Sequence, residues 1–216
     1  MNARNAILSR IRNALADGEP TEQPPIPQVW PKKKFNLETK AKQFAESLEA
    51  VQGEIIRCSS AEETKEKLAE LLDRENWDTI AAIENPNTKQ AVEKLSAKRV
   101  SWIEPDTDHR QLAKLPAGLI VARHLLADTG SCIIDCNTRE ERLMCYMPPA
   151  CVVIAKTSTL AAHMQDIWAD IGEGMADLER RGEYVIVTGP SRTADIEKIL
   201  ILGVHGPKRL IVLLVD

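Results

Sequence analysis

Residues 184–197 read Tyr184-Val185-Ile186-Val187-Thr188-Gly189-Pro190-Ser191-Arg192-Thr193-Ala194-Asp195-Ile196-Glu197. Lys198-Ile199-Leu200-Ile201-Leu202-Gly203-Val204-His205-Gly206-Pro207 follows, and then Lys208-Arg209-Leu210-Ile211-Val212-Leu213-Leu214-Val215. The β-branched run Val185-Ile186-Val187 predicts a buried strand that Thr188-Gly189-Pro190 stops. Ser191 or Thr193 can cap a helix beyond it, because a hydroxyl oxygen accepts from the orphan N–H groups of a first turn. Gly203 and Gly206-Pro207 would end that helix, and residues 210–215 read as a second buried strand. Strand, helix and strand within about thirty residues make a βαβ unit, whose crossover implies a parallel sheet. Ligands of such sheets sit at strand carboxyl ends, the edge expected for residues 189–193.

Upstream, the same alternation repeats. Apolar runs predict strands at 54–57, 78–83, 99–103, 118–123, 131–136 and 151–156. Helical patterns fall at 37–52, 60–74, 86–95, 106–115 and 158–171, with Ser60-Ala61-Glu62-Glu63 as a capping box and residues 172–182 as a polar connection. The expected fold is α/β: a three-layer α/β/α domain over 36–216 with a mostly parallel sheet. Residues 1–17 precede it as an amphipathic helix, with Ile7, Leu8, Ile11 and Leu15 on one stripe. Residues 18–35 form a proline-rich linker, since Pro20, Pro24, Pro25, Pro27 and Pro31 cannot sit inside a helix.

Composition narrows the partners. With 216 residues, 44% apolar, the chain can bury a sizeable core. A net charge of -4 disfavours nucleic acid. No apolar run nears the roughly 18 residues that span a bilayer, so membrane insertion is not expected. Arg4, Arg10 and Arg12 stand without an apolar run to make a secretory signal, and five cysteines is an odd number for a disulfide framework. The expected location is the cytoplasm. Cys132, Cys136, Cys145 and Cys151 match neither zinc-knuckle nor ferredoxin spacing, so no metal and no cofactor is expected.

Two turns carry polar groups with binding potential. Gly189, Ser191, Arg192 and Thr193 offer backbone N–H groups, hydroxyls and a guanidinium to an anion. The same segment also reads as a plain capped turn, because Asp195 and Glu197 already complement a helix dipole. Asp128-Thr129-Gly130-Ser131 is a turn between two apolar strands, and Arg142 could face Asp128 across its mouth. It reads equally as a hairpin turn with Gly130 at positive φ and Arg142 in a surface ion pair. His205, flanked by Gly203 and Gly206, suits a loop at the amino edge of the last strand, opposite the expected ligand edge. His109, His124 and His163 show no spaced partners, and neither a Gly-x-Ser-x-Gly elbow nor a His-Glu-x-x-His helix is present.

The segment from Thr188 to Glu197, together with Gly203-Val204-His205-Gly206-Pro207, resembles the C-terminal signature of the LUD-domain (LutC/YkgG) family of lactate utilization proteins. Asp128-Thr129-Gly130-Ser131, Arg142 and Pro148 follow the order that family shows, although a threonine is commoner there than Ser131. The N-terminal helix and proline-rich linker are also similar. The resemblance implies a fold like glucosamine-6-phosphate isomerase, ribose-5-phosphate isomerase and the CoA-transferases. It further implies a component of an L-lactate utilization system, supporting oxidation to pyruvate beside iron–sulfur partner proteins. The absence of cluster motifs agrees with the smaller, cluster-free component; no catalytic residue carries over. Rival functions are a free-standing isomerase, transferase or ligase acting on a phosphorylated or carboxylated metabolite, and a ligand-sensing domain. The expected site holds a small carboxylate or anion between the turns, using Thr129, Gly130, Ser131, Arg142, Gly189, Ser191, Arg192 and Thr193.

Overall fold

The computed structural model describes residues 3–16, 27, 35–105, 107–176, 182–193 and 201–216. It divides into two compact units, 1–33 and 34–216. In the first, helix α1 (Ala3–Ala16) buries none of its residues and leaves Ile7, Ile11 and Leu15 exposed. Nearly all of the expected proline-rich linker, 18–35, lies outside the described residues.

The second unit begins with α2 (Leu37–Ala50), capped by Asn36, whose side chain accepts from Thr39 N and fixes the first turn. Strand β1 (Glu54–Cys58) and helix α3 (Ala61–Arg74) follow. Ser60 accepts from Glu63 N as expected, but the Glu63 carboxylate accepts from Ser59 N and Ser59 Oγ rather than from Ser60. Next come β2 (Ile80–Ala82) and α4 (Pro86–Val92), started by Pro86 and a reciprocal Asn85–Thr88 capping box. Then β3 (Val100–Trp102), a short α5 (His109–Leu112) and β4 (Ala117–Val121) complete the first half.

The chain continues through β5 (His124–Leu126), β6 (Ser131–Cys136), α6 (Arg139–Tyr146) and β7 (Ala150–Lys156). Thereafter run β8 (Leu160–Ala161), α7 (Trp168–Ala176), β9 (Glu183–Val187), β10 (Arg192–Thr193), β11 (Ile201–Leu202) and β12 (Arg209–Val215). The helix expected over 158–171 is instead a turn at Thr157–Thr159, β8, a turn at Met164–Ile167 and the start of α7.

Strands order as β1-β12-β7-β4-β2-β3 in a six-stranded sheet, all pairs parallel. The fold is α/β, as the alternation predicts. Side chains along β7 and β12 alternate between two cores: Cys151, Val153, Ala155, Leu210, Val212 and Leu214 face one way, and Val152, Ile154, Ile211 and Leu213 the other. Helices α3 and α4 cover the second face through Leu68, Leu71, Leu72, Ala91 and Val92. Phe44 and Leu48 of α2, Leu112 of α5 and Met144 of α6 cover the first. Part of β5 and β6 joins them there, so helix, sheet and a mixed helix–sheet layer stack as three.

The closing βαβ unit is not formed. β9 pairs antiparallel with β6 in a separate four-stranded sheet, β8-β5-β6-β9, while β12 lies in the six-stranded sheet. Arg192 and Thr193 pair antiparallel with Leu202 and Ile201, so the described ends of the expected helix form a ladder; residues 194–200 lie outside the described residues. A β-branched run fixes a strand, not the sheet it joins. Ile133 and Ile134 of β6 take Val185 and Ile186 as neighbours, and that choice is tertiary.

Candidate functional site

In a parallel sheet, clefts open where neighbouring strands send their outgoing connections to opposite faces. Here that point lies between β2, which leaves through α4 on one face, and β4, which leaves toward β5 and α6 on the other. A cavity of about 440 Å³ occupies it, lined by Asn85 and Asn87 after β2, Arg123 after β4, and Asp135, Asn137 and Glu141.

Arg123 is held from behind. Its Nε and Nη2 donate to the Asp170 carboxylate at 3.0 and 2.8 Å, and Nη1 donates to Asp135 Oδ2 at 3.2 Å. His124 Nε2 meets the same Asp170 at 2.6 Å. The Arg123 guanidinium, and then His124, hold the Asp170 carboxyl well below the usual carboxylate range. Two acids therefore already answer the positive charge at this cavity.

On the other side of that cluster, His124 lines a second cavity of about 420 Å³ with Lys40, Ser158, Thr159, Leu160, Asp166 and Ile167. It lies at the carboxyl ends of β4 and β7, since His124 opens just past Val121 and Ser158 just past Lys156. Lys40 Nζ donates to Leu160 O at 2.6 Å and has no carboxylate partner among the described residues. Asp166 Oδ2 accepts from Ala162 N and His163 N.

The two predicted turns meet at the opposite edge. Ser131, buried, exchanges hydrogen bonds at 2.7 Å with Thr129 Oγ1 and Thr188 Oγ1, so one hydroxyl chain joins 129–131 to 188. Gly130 and Gly189 both adopt positive φ, +66° and +73°. Each rests on the end of α2: a Cβ at Gly130 would meet the Leu48 backbone, and one at Gly189 would lie 2.6 Å from Val51 O. Ser191 N donates to Pro207 O at 2.8 Å, and Gly203 N to Ser191 O at 2.8 Å. Val51 precedes β1 and Pro207 precedes β12, so this is the amino edge of the parallel sheet. Residues 189–193 thus sit opposite their expected edge, because β9 belongs to the antiparallel sheet.

A cleft of about 380 Å³ opens there, lined by Tyr146, Glu183, Thr188, Gly189, Ser191 and His205 among others. His205 and the Gly189–Ser191 turn, expected at opposite edges, share this cleft. Arg192 is exposed and Thr193 half-buried, both outside its lining. Arg142 does not face Asp128: its Nη1 pairs with Glu183 Oε1 at 2.7 Å, while Asp128 Oδ2 meets His163 Nδ1 at 2.9 Å.

All five cysteines are free and buried. Burial pushes the Cys132 thiol up and Cys151 up to about 12, and a hydrogen bond with Cys136 together with burial raises Cys145. Such thiols behave as small core hydrophobes. No helix among the described residues is long and apolar enough to cross a membrane.

Residues 41–215 match the LUD domain. The chain belongs to the LUD-domain family. Lactate utilization protein C of Bacillus pumilus is 28% identical over 99 residues, 45% of this chain and 41% of that protein. The protein of the same name from Halalkalibacterium halodurans is 30% identical over 46% of this chain and 44% of its own length. The chain thus spans under half the length of these two relatives. A Neisseria meningitidis serogroup B protein is 26% identical over 99% of this chain and 93% of its own. Among solved structures, a DUF162 family protein from Deinococcus radiodurans superimposes with a TM-score of 0.61 at 18% identity, covering 85% of this chain and all of that one. That likeness concerns the fold.

Sequence reasoning did not single out the carboxyl-edge groups of this LUD domain. Arg123-His124 directly after the apolar run of β4 is a signal of position, since polar residues just past a parallel strand face its ligand edge. Lys40 and Asp170 carry no such signal, because only the tertiary fold brings α2 to β8 and α7 to β5. Helix α6 was readable: Thr138-x-x-Glu141 is a capping box, and Glu141 Oε2 accepts from Thr138 N at 2.9 Å.

Proposed function

We propose that this LUD-domain protein is a component of an L-lactate utilization system, acting in the cytoplasm in support of the oxidation of L-lactate to pyruvate beside iron–sulfur partner proteins. The observation that carries this is the family match over 41–215, joined to relatives named lactate utilization protein C.

In this proposal a small carboxylate or other anion binds beside the joined turns. Thr129, Gly130 and Ser131 would form one side and Gly189, Ser191, Arg192 and Thr193 the other, with Arg142 at the flank. Support comes from the hydroxyl chain that unites the turns and from the open cleft on which Gly189 and Ser191 border. Deletion of the gene should abolish growth on L-lactate as sole carbon source in a strain without another lactate dehydrogenase; unimpaired growth would refute the assignment. Within that assay, Arg192→Ala should slow growth if Arg192 supplies the charge, and growth at the wild-type rate would make the turn structural. The carboxyl-edge cavities favour one rival, a free-standing isomerase, transferase or ligase acting on a phosphorylated or carboxylated metabolite.

A further inference from the structure

We infer that the cavity walled by Lys40, His124 and Ser158 is a binding site for a short 2-hydroxy or 2-oxo carboxylate. It is separate from the turns at the amino edge. The three cavities differ most in their charge. At the β2/β4 cavity Asp135 and Asp170 neutralise Arg123, and the amino-edge cleft is lined by Glu183. In the third, Lys40 is half-buried, spends one N–H on Leu160 O, and meets no carboxylate among the described residues.

Asp166 is the one acid in the lining, and its Oδ2 is engaged by two backbone N–H groups. Asp170, behind His124, is already matched by Arg123. A half-buried ammonium with unused donors beside an open volume favours an anion, since leaving either charge unpaired is costly.

The rest of the wall narrows the ligand. His124 presents Nε2 to Asp170, which orients the ring and leaves Nδ1 as the nitrogen available to an oxygen on the ligand. Ser158 is exposed at the mouth and adds a hydroxyl. Leu160, Ala161 and Ile167, all buried, supply an apolar wall that fits a methyl or short alkyl group. A carboxylate on Lys40 and Ser158, the 2-oxygen on His124 and a short chain on Leu160 and Ile167 use each group once. The preference for a 2-oxygenated acid rests on the lactate reading; the anion cavity itself does not.

Calorimetric titration of the full-length protein with L-lactate, pyruvate and propionate tests this. Saturable binding is expected, tighter for the two acids with a 2-oxygen than for propionate. Lys40→Met should weaken all three by about tenfold or more, as expected for a lost charged hydrogen bond. His124→Gln should narrow the gap between lactate and propionate while leaving propionate binding nearly intact. Ser158→Trp, at an exposed position, should block the mouth, and it serves in place of Lys40→Met if circular dichroism shows that variant unfolded. No saturable binding by the wild type, or binding indifferent to these variants but lost in Arg192→Ala, overturns the inference. Failure of the lactate growth assay with binding through Lys40 intact would sink the functional assignment and leave the site standing.

Discussion

Gly130→Ala should be among the most damaging single-methyl changes in this protein. Gly130 sits at φ +66°, where a residue with a Cβ costs about 1–2 kcal/mol. The added methyl would also lie 2.6 Å from Leu48 Cα and 2.7 Å from Ser47 C, and closer still to Leu48 N. Those are backbone atoms of α2, so no side chain can swing aside. The helix itself would have to move, yet Leu48 is fully buried and Ser47 Oγ donates to Ala127 O at 2.9 Å on the same turn. Overpacking of this kind costs about 1–3 kcal/mol, giving a total of roughly 2–5 kcal/mol. For a domain of this size that lowers Tm by roughly 5–15 °C. Thermal unfolding followed by circular dichroism, with urea midpoints as a check, measures it. Gly172→Ala is the matched control: it lies within α7 with open space around it, and should stabilise slightly through helix propensity. A Gly130→Ala protein melting with the wild type would refute the reasoning. Normal stability with lost anion binding would instead mean that the glycine serves a ligand.

Ser131→Ala removes the hydroxyl that links Thr129 to Thr188, and should destabilise by about 1–3 kcal/mol in urea titration; Ser131→Thr, which keeps a hydroxyl, should lose less. Asp170 has a depressed folded-state pKa, so its contribution is full above the unfolded carboxylate value near pH 4 and is lost as pH falls below it toward the folded value. The urea midpoint of the wild type should therefore drop on acidification below about pH 4, and Asp170→Asn should flatten that part of the profile; parallel profiles would refute the assignment. Native protein should react with a thiol reagent far more slowly than urea-unfolded protein, because all five cysteines are buried and the Cys151 thiol is pushed up to about 12. Rapid native labelling of Cys151, identified by peptide mapping, would contradict its burial.

Local chemistry made most elements legible. Apolar β-branched runs marked β1, β4, β6, β7 and β12, and Ser60 announced α3, because these signals act within a turn or a strand. The errors came where pairing overrides propensity. Ser191 and Thr193 are good helix caps, but Arg192 and Thr193 find ladder partners in Leu202 and Ile201 instead. Strand β9 carries the same residue types as a core parallel strand, yet leaves Ile186 half exposed in an antiparallel sheet. At the candidate site, the pair of turns could be named from sequence, as could their hydroxyls. Their shared position on α2 could not, nor could the convergence of Lys40, His124 and Asp170 from three distant segments. Arg142 shows the limit: a guanidinium near a turn in sequence selected Glu183, a neighbour supplied by β9.

The place of β12 has a consequence for how the chain is made. Among the described residues β1 takes its ladder only from β12, and β12 joins it to β7 and the rest of the sheet. During synthesis, residues 54–58 therefore emerge early and wait for 209–215 before either side of that strand is paired. At about 5–20 residues per second the wait is several seconds to half a minute, with an apolar edge open to misplaced pairing. Truncation before Arg209 would detach β1 as well, although β1 itself is intact in sequence. A nascent chain stalled upstream of residue 209 should be the species most in need of a chaperone.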